Sequence, residues 1–65
     1  MMLKEIIALA RKGTEINAFY TNCHGERVTI YTDLDDNPPA YVRFADVYGI
    51  GVSDNGVLEC EVEEP

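Results

Sequence analysis

The residues of this 65-residue chain whose types could do chemistry fall into a few groups. Asp33, Asp35 and Asn37 stand at positions 1, 3 and 5 of a calcium-loop spacing, where oxygen donors alternate with spacers around a hard cation. The match then breaks. Pro38 occupies the position that needs glycine, and Phe44 stands where a bidentate glutamate is required. Cys23, His24 and Cys60 are the soft ligands, one short of the four that a structural zinc site takes. Cys23 and His24 are neighbours at a tight turn, where side chains diverge, and no residue nearby would activate the thiol as a nucleophile. Gly49-Ile50-Gly51 lies within a strand pattern with no helix after it, so it is no phosphate cradle. Twelve acids in so short a chain bring carboxylates together by chance, without the concave site that would raise one pKa for acid–base work. The expectation is a non-enzymatic protein with no metal and no cofactor.

Charge speaks more clearly than chemistry. Residues 1–14 carry a net +2, through Lys4, Arg11 and Lys12 against Glu5, whereas residues 15–65 carry −9, giving −7 in all. A body this acidic repels nucleic acid and attracts basic protein surfaces. Glu59, Glu61 and Glu63 alternate along one predicted strand face at a spacing of ~6.8 Å. That is two steps of the ~3.4 Å charge spacing along one DNA strand. Phe19, Tyr31 and Tyr41, with Arg27 and Arg43 nearby, are expected on the sheet face away from the helix, and aromatics beside arginine mark interface centres.

Small acidic inhibitors carried by phages and mobile elements, of the antirestriction or anti-CRISPR type, have this general composition, although no family is recognised in the residues. The acidic body and the Glu ladder lead to the expectation of an inhibitor of a basic or nucleic-acid-handling protein, with DNA mimicry as its device. The expected partner-binding residues are Phe19, Tyr31, Tyr41, Arg43, Asp33, Asp35, Asp36, Glu59, Glu61 and Glu63. The alternative is an adaptor or subunit docking through an exposed aromatic sheet face, on its own assembly or as a homodimer. Direct nucleic-acid binding and membrane binding are not expected.

The elements that position these residues follow from hydrophobic period. Leu3, Ile6, Ile7 and Ala10 at i, i+3, i+4 and i+7 predict a helix over 2–12, with cationic Arg11 and Lys12 at its end and Gly13 as its C′ residue. Thereafter the period is two, predicting strands over about 15–21, 27–32, 41–45, 47–52 and 57–62. A one-residue slip turns every side chain to the other face, so burial selects the hairpin loops. A three-residue loop Cys23-His24-Gly25 sets Tyr20 against Val28, Ala18 against Ile30 and Ile16 against Thr32. The loop Asp54-Asn55-Gly56 sets Val52 against Leu58, Ile50 against Cys60 and Tyr48 against Val62. Each loop ends on the glycine that such loops require.

The chain is therefore read as one α+β domain: an N-terminal helix packed on a small antiparallel sheet of about five strands, with curling toward an SH3-like or Sm-like partial barrel as its closed variant. At this size a core contributes only ~3–5 kcal/mol net. The N-terminus lacks a signal-peptide pattern and Cys23 and Cys60 lack CxxC spacing, so a cytoplasmic protein with reduced thiols is expected.

Overall fold

The structure, a computed structural model, describes residues 1–10, 13–33 and 37–65. Its elements are α1 (Leu3–Leu9), β1 (Ile16–Thr21), β2 (Arg27–Thr32), α2 (Ala40–Arg43), β3 (Val47–Val52) and β4 (Leu58–Val62). The class is α+β, as composition and period imply, but the described residues hold four strands rather than five. They form one open mixed sheet in the order β2-β1-β4-β3. No barrel closes.

Both hairpins use the three-residue loop that burial selects. Thr21 faces Arg27 across the first, and Val52 faces Leu58 across the second. Gly25 and Gly56 take the left-handed conformation there, with φ of 78° and 82°. The sheet is not wholly antiparallel, however. β1 and β4 run parallel, with Ile16 beside Leu58 and Ala18 beside Cys60. This arrangement leaves β2 and β3 at opposite edges and pointing the same way. A crossover of a dozen or more residues must then join them, and α2 lies in that connection.

The predicted strand over 41–45 is instead part of that crossover. Val42 and Ala45 are both buried at a spacing of three, the period of a helical turn. The Pro39 carbonyl accepts the Val42 and Arg43 N–H groups at 3.0 and 3.2 Å, so Pro39 starts α2 where its missing N–H costs nothing. The alternation of Val42 and Phe44 imitates a strand, but Phe44 is half exposed.

α1 ends at Leu9, with Ala10 extended, so it is shorter than the 2–12 span. Arg11 and Lys12, expected at its end, lie outside the described residues. Leu3 and Ile6 bury against the sheet, and Leu3 N–H donates to the Ala45 carbonyl at 2.9 Å. Met2 bridges to Asp46, and Val47 N–H donates to the Met1 carbonyl at 2.8 Å, which ties the chain start to the beginning of β3.

A bulge displaces the predicted register at the far end of each hairpin. Beyond Phe19–Thr29 the β1–β2 pairing slips by one residue, so Ala18 faces Tyr31 and Asn17 faces Thr32. Past such a slip every side chain changes face. Tyr31, expected on the outer face, therefore enters the helix-covered core at 6% exposure. In β3, Val47 rather than Tyr48 faces Val62, and Tyr48 turns out to solvent. The core comprises Leu3, Ile6, Ile16, Ala18, Tyr31, Val42, Ala45, Val47, Cys60 and Val62.

Truncating a buried aromatic to alanine costs ~3–5 kcal/mol, as much as a domain this small is worth. Tyr31→Ala should therefore abolish the cooperative thermal transition seen by circular dichroism. Tyr41→Ala, on the exposed side of α2, should stay within about 0.5 kcal/mol of the parent. A Tyr31→Ala protein that melts normally would contradict the bulge.

Candidate functional site

Two surfaces collect the residues that could recognise a ligand, and their electrostatics differ. The first is the sheet face opposite the helices. Phe19 lies there, yet only 7% of it is exposed, because the Arg27 guanidinium stacks 3.9 Å from its ring centroid. Arg27 Nη1 also pairs with Glu59 Oε2 at 3.3 Å, the one ion pair among the described residues. Glu61 Oε2 accepts hydrogen bonds from Tyr48 Oη at 2.8 Å and Thr21 Oγ1 at 3.2 Å. Gly49 and Gly51, across from Glu61 and Glu59, leave an open groove of about 270 Å³ beside Phe19.

This face satisfies itself. Its ring is covered, and both of its carboxylates are bonded to residues of the same sheet. The Glu59-Glu61-Glu63 ladder is consequently not a free row of charges: two of its members are held, and Glu63 lies past the end of β4 with its N–H donating to Asp46 O. Tyr31, in the core, and Phe19, under Arg27, are thus not exposed on this face as the sequence led one to expect.

The second surface lies where the crossover meets the end of β4. Tyr41, Phe44, Ala45, Asp46, Glu63 and Glu64 line an open groove of about 350 Å³, with Pro65 at its rim. α2 makes this possible. A single turn that buries Val42 must point Tyr41 and Phe44 elsewhere, and they are 58% and 50% exposed. Lys4 Nζ and Arg43 Cζ sit 4.7 and 5.6 Å from the Phe44 centroid. These cations flank a ring instead of pairing with acids, and Asp46, Glu63 and Glu64 have no ion-pair partner among the described residues. The groove thus offers exposed aromatic surface beside uncompensated carboxylates, a combination suited to a guanidinium or ammonium group.

Of the residues expected at a partner surface, Tyr41, Arg43 and Glu63 come together here. Asp33 is apart, in the turn after β2, and Asp35 and Asp36 lie outside the described residues. Sequence reasoning missed Phe44, Asp46 and Glu64. The signal for Phe44 was present in Pro38-Pro39, which opens a helical turn as readily as it blocks a strand. For chemistry there is less. Cys23 is exposed, Cys60 is buried, and burial raises the Cys60 thiol pKa. No group of three or more His, Cys, Asp or Glu among the described residues is placed to hold a metal ion, and none of their helices is long and apolar enough to cross a membrane.

The hydrogen bond to Glu61, then burial and the negative charges of Glu61 and Glu63, raise the Tyr48 pKa above its ordinary value. The folded state therefore holds this phenol proton more tightly than the unfolded chain does. Its contribution is whole below about pH 10 and is lost as pH rises through the folded value. Tyr48 followed by NMR should titrate above the free value in the parent and move back toward it in Glu61→Gln; an identical titration in both would refute the contact.

No protein-family model, curated protein or solved structure matches this chain significantly.

Proposed function

We propose that this chain is a small acidic, non-enzymatic protein-binding domain that occupies a basic surface of a partner protein. The observation that carries the reading is the groove of Tyr41, Phe44, Asp46, Glu63 and Glu64, where exposed rings stand beside carboxylates with no ion-pair partner among the described residues. The net charge of −7 supplies long-range attraction, which raises association rates with a basic surface. The rings supply the short-range anchor, because aromatic residues with a fully desolvated contact carry most of the energy of an interface. Basic surfaces of this kind hold phosphate backbones in nucleic-acid-handling proteins, so occupation by this chain excludes nucleic acid and inhibits. Such inhibition works through the groove and overall charge, since Glu59 and Glu61 are already engaged.

An arginine- and lysine-rich peptide titrated into the labelled protein tests the site. NMR shifts should concentrate at Tyr41, Phe44, Asp46 and Glu63, and affinity should fall steeply with salt, as exposed charges are screened beyond ~8 Å at 0.15 M. Tyr41→Ala should weaken binding by ~1–2 kcal/mol, and Asp46→Asn with Glu63→Gln should flatten the salt dependence. Shifts spread evenly over the acidic surface, or an affinity indifferent to both variants, would count against the groove.

A further inference from the structure

We propose that the β3 edge pairs with the β3 edge of a second copy of this chain, in antiparallel register about a two-fold axis at Gly51. β3 closes one end of the strand order, and its sequence, Val-Tyr-Gly-Ile-Gly-Val, contains no Lys, Arg, Asp, Glu or Pro. Those are the residues that usually protect an edge from pairing. β2, at the other edge, carries Arg27. Both edge strands have a bulge, at Ile30 in β2 and at Tyr48 in β3, and the latter leaves residues 49–52 regular. Among the described residues, Met1 and Met2 cover only the beginning of β3, at Asp46 and Val47.

Backbone direction singles out the free portion. Ser53 N–H donates to the Val57 carbonyl at 2.9 Å, so Ser53 turns its polar groups toward the partner strand of its own hairpin. Alternation then turns Gly51 and Gly49 the same way and leaves the N–H and C=O groups of Ile50 and Val52 facing outward. Side chains agree with this. Ile50 and Val52 lie on the helix side, opposite Cys60 and Leu58, yet they are 58% and 70% exposed because the helical layer stops short of the edge.

These features are self-complementary. With the axis at Gly51, Ile50 faces Val52 of the second copy and Val52 faces its Ile50. All four outward backbone pairs are used, and the four bare side chains cover one another on the helix side. On the opposite side glycine meets glycine, and Gly51 has nothing within 4 Å of a built Cβ. Moving the axis to Ile50 would set Val52 against Tyr48, whose side chain reaches the other face to bond Glu61. Charge does not forbid the pairing. Glu59 and its copy lie three strand spacings apart, roughly 14 Å, beyond the ~8 Å Debye length at 0.15 M, and each is paired with Arg27. Asp54, in the exposed hairpin loop, falls nearer to Asp46 of the second copy, roughly 8 Å by strand geometry, so like charge at the two ends weakens the contact. The contact is small, so the dimer belongs to the weak class of interfaces.

Sedimentation of the whole chain over a concentration series should show mass rising from one copy toward two, and Ile50→Lys should hold it at one copy with an unchanged melting temperature. Non-hydrogen-bonded antiparallel pairs bring Cα atoms to about 4.5 Å, within disulfide reach. In a Cys23→Ser background, Gly51→Cys should therefore cross-link to a dimer under mild oxidation much faster than Asp54→Cys. A mass of one copy at every concentration up to about millimolar would overturn the proposal. So would a dimer indifferent to Ile50→Lys, or equal cross-linking at both positions.

Discussion

The parallel seam between β1 and β4 is the contact on which the rest depends. A two-stranded hairpin is marginal in water at best, and three or more strands with a covered face are needed for independent stability. This chain has two hairpins, and the seam makes one sheet of them. At its centre Ala18 and Cys60 pair side by side, both wholly buried. Their small side chains let α1 press Leu3 and Ile6 down onto the sheet, while Ile16 and Val62 close the core around them. The parallel direction in turn dictates the crossover. Since it must travel from one edge of the sheet to the other, α2 becomes a passing turn with one anchoring side chain, Val42, and its other residues are released to the surface.

A single helical layer covers only one side of such a sheet, and the uncovered side must tolerate water. Here it does so by internal compensation. Arg27 lies flat on Phe19 and pairs with Glu59, which removes a large ring from solvent without a second layer. An arginine is well suited to this, being planar, always charged and weakly hydrated. The same arrangement engages the outer face internally despite its composition. Its aromatic and acidic residues recognise one another.

The legible parts of the fold were those governed by local pattern: α1, both three-residue loops, and the alternation that put Cys60 inside. The illegible parts depended on distant partners. Nothing in β1 or β4 alone specifies a parallel seam, because each has an apolar face that would serve in either direction. The bulges were invisible for a related reason. Strict period two places Tyr31 outside, and only the gain from burying its ring under the helices makes a slip at Ile30 worthwhile. Val42-Arg43-Phe44-Ala45 fits both a period of two and a spacing of three, and its tertiary position at the end of the crossover decides for the turn. The groove inherited that ambiguity. Tyr41 and Glu63 were identifiable as exposed, but their proximity follows from where residues 39–46 run into β3.

The groove and the bare edge stand in a definite relation. Asp46, in the groove wall, immediately precedes β3, whereas Gly51 is five residues further on, roughly 16 Å along the strand. Pairing about Gly51 therefore leaves the groove open and places a second one, by symmetry, at the far end of the joined strands. Two acidic grooves on one rigid sheet would engage two basic sites on a partner with an effective concentration set by sheet geometry rather than by a flexible linker. Avidity of that kind exceeds single-site affinity without any new contact, provided the spacing matches. It also gives a physical use for weak pairing. The bare edge of a single copy costs little to keep in water, and a partner with two suitably spaced basic sites would itself draw the two copies together.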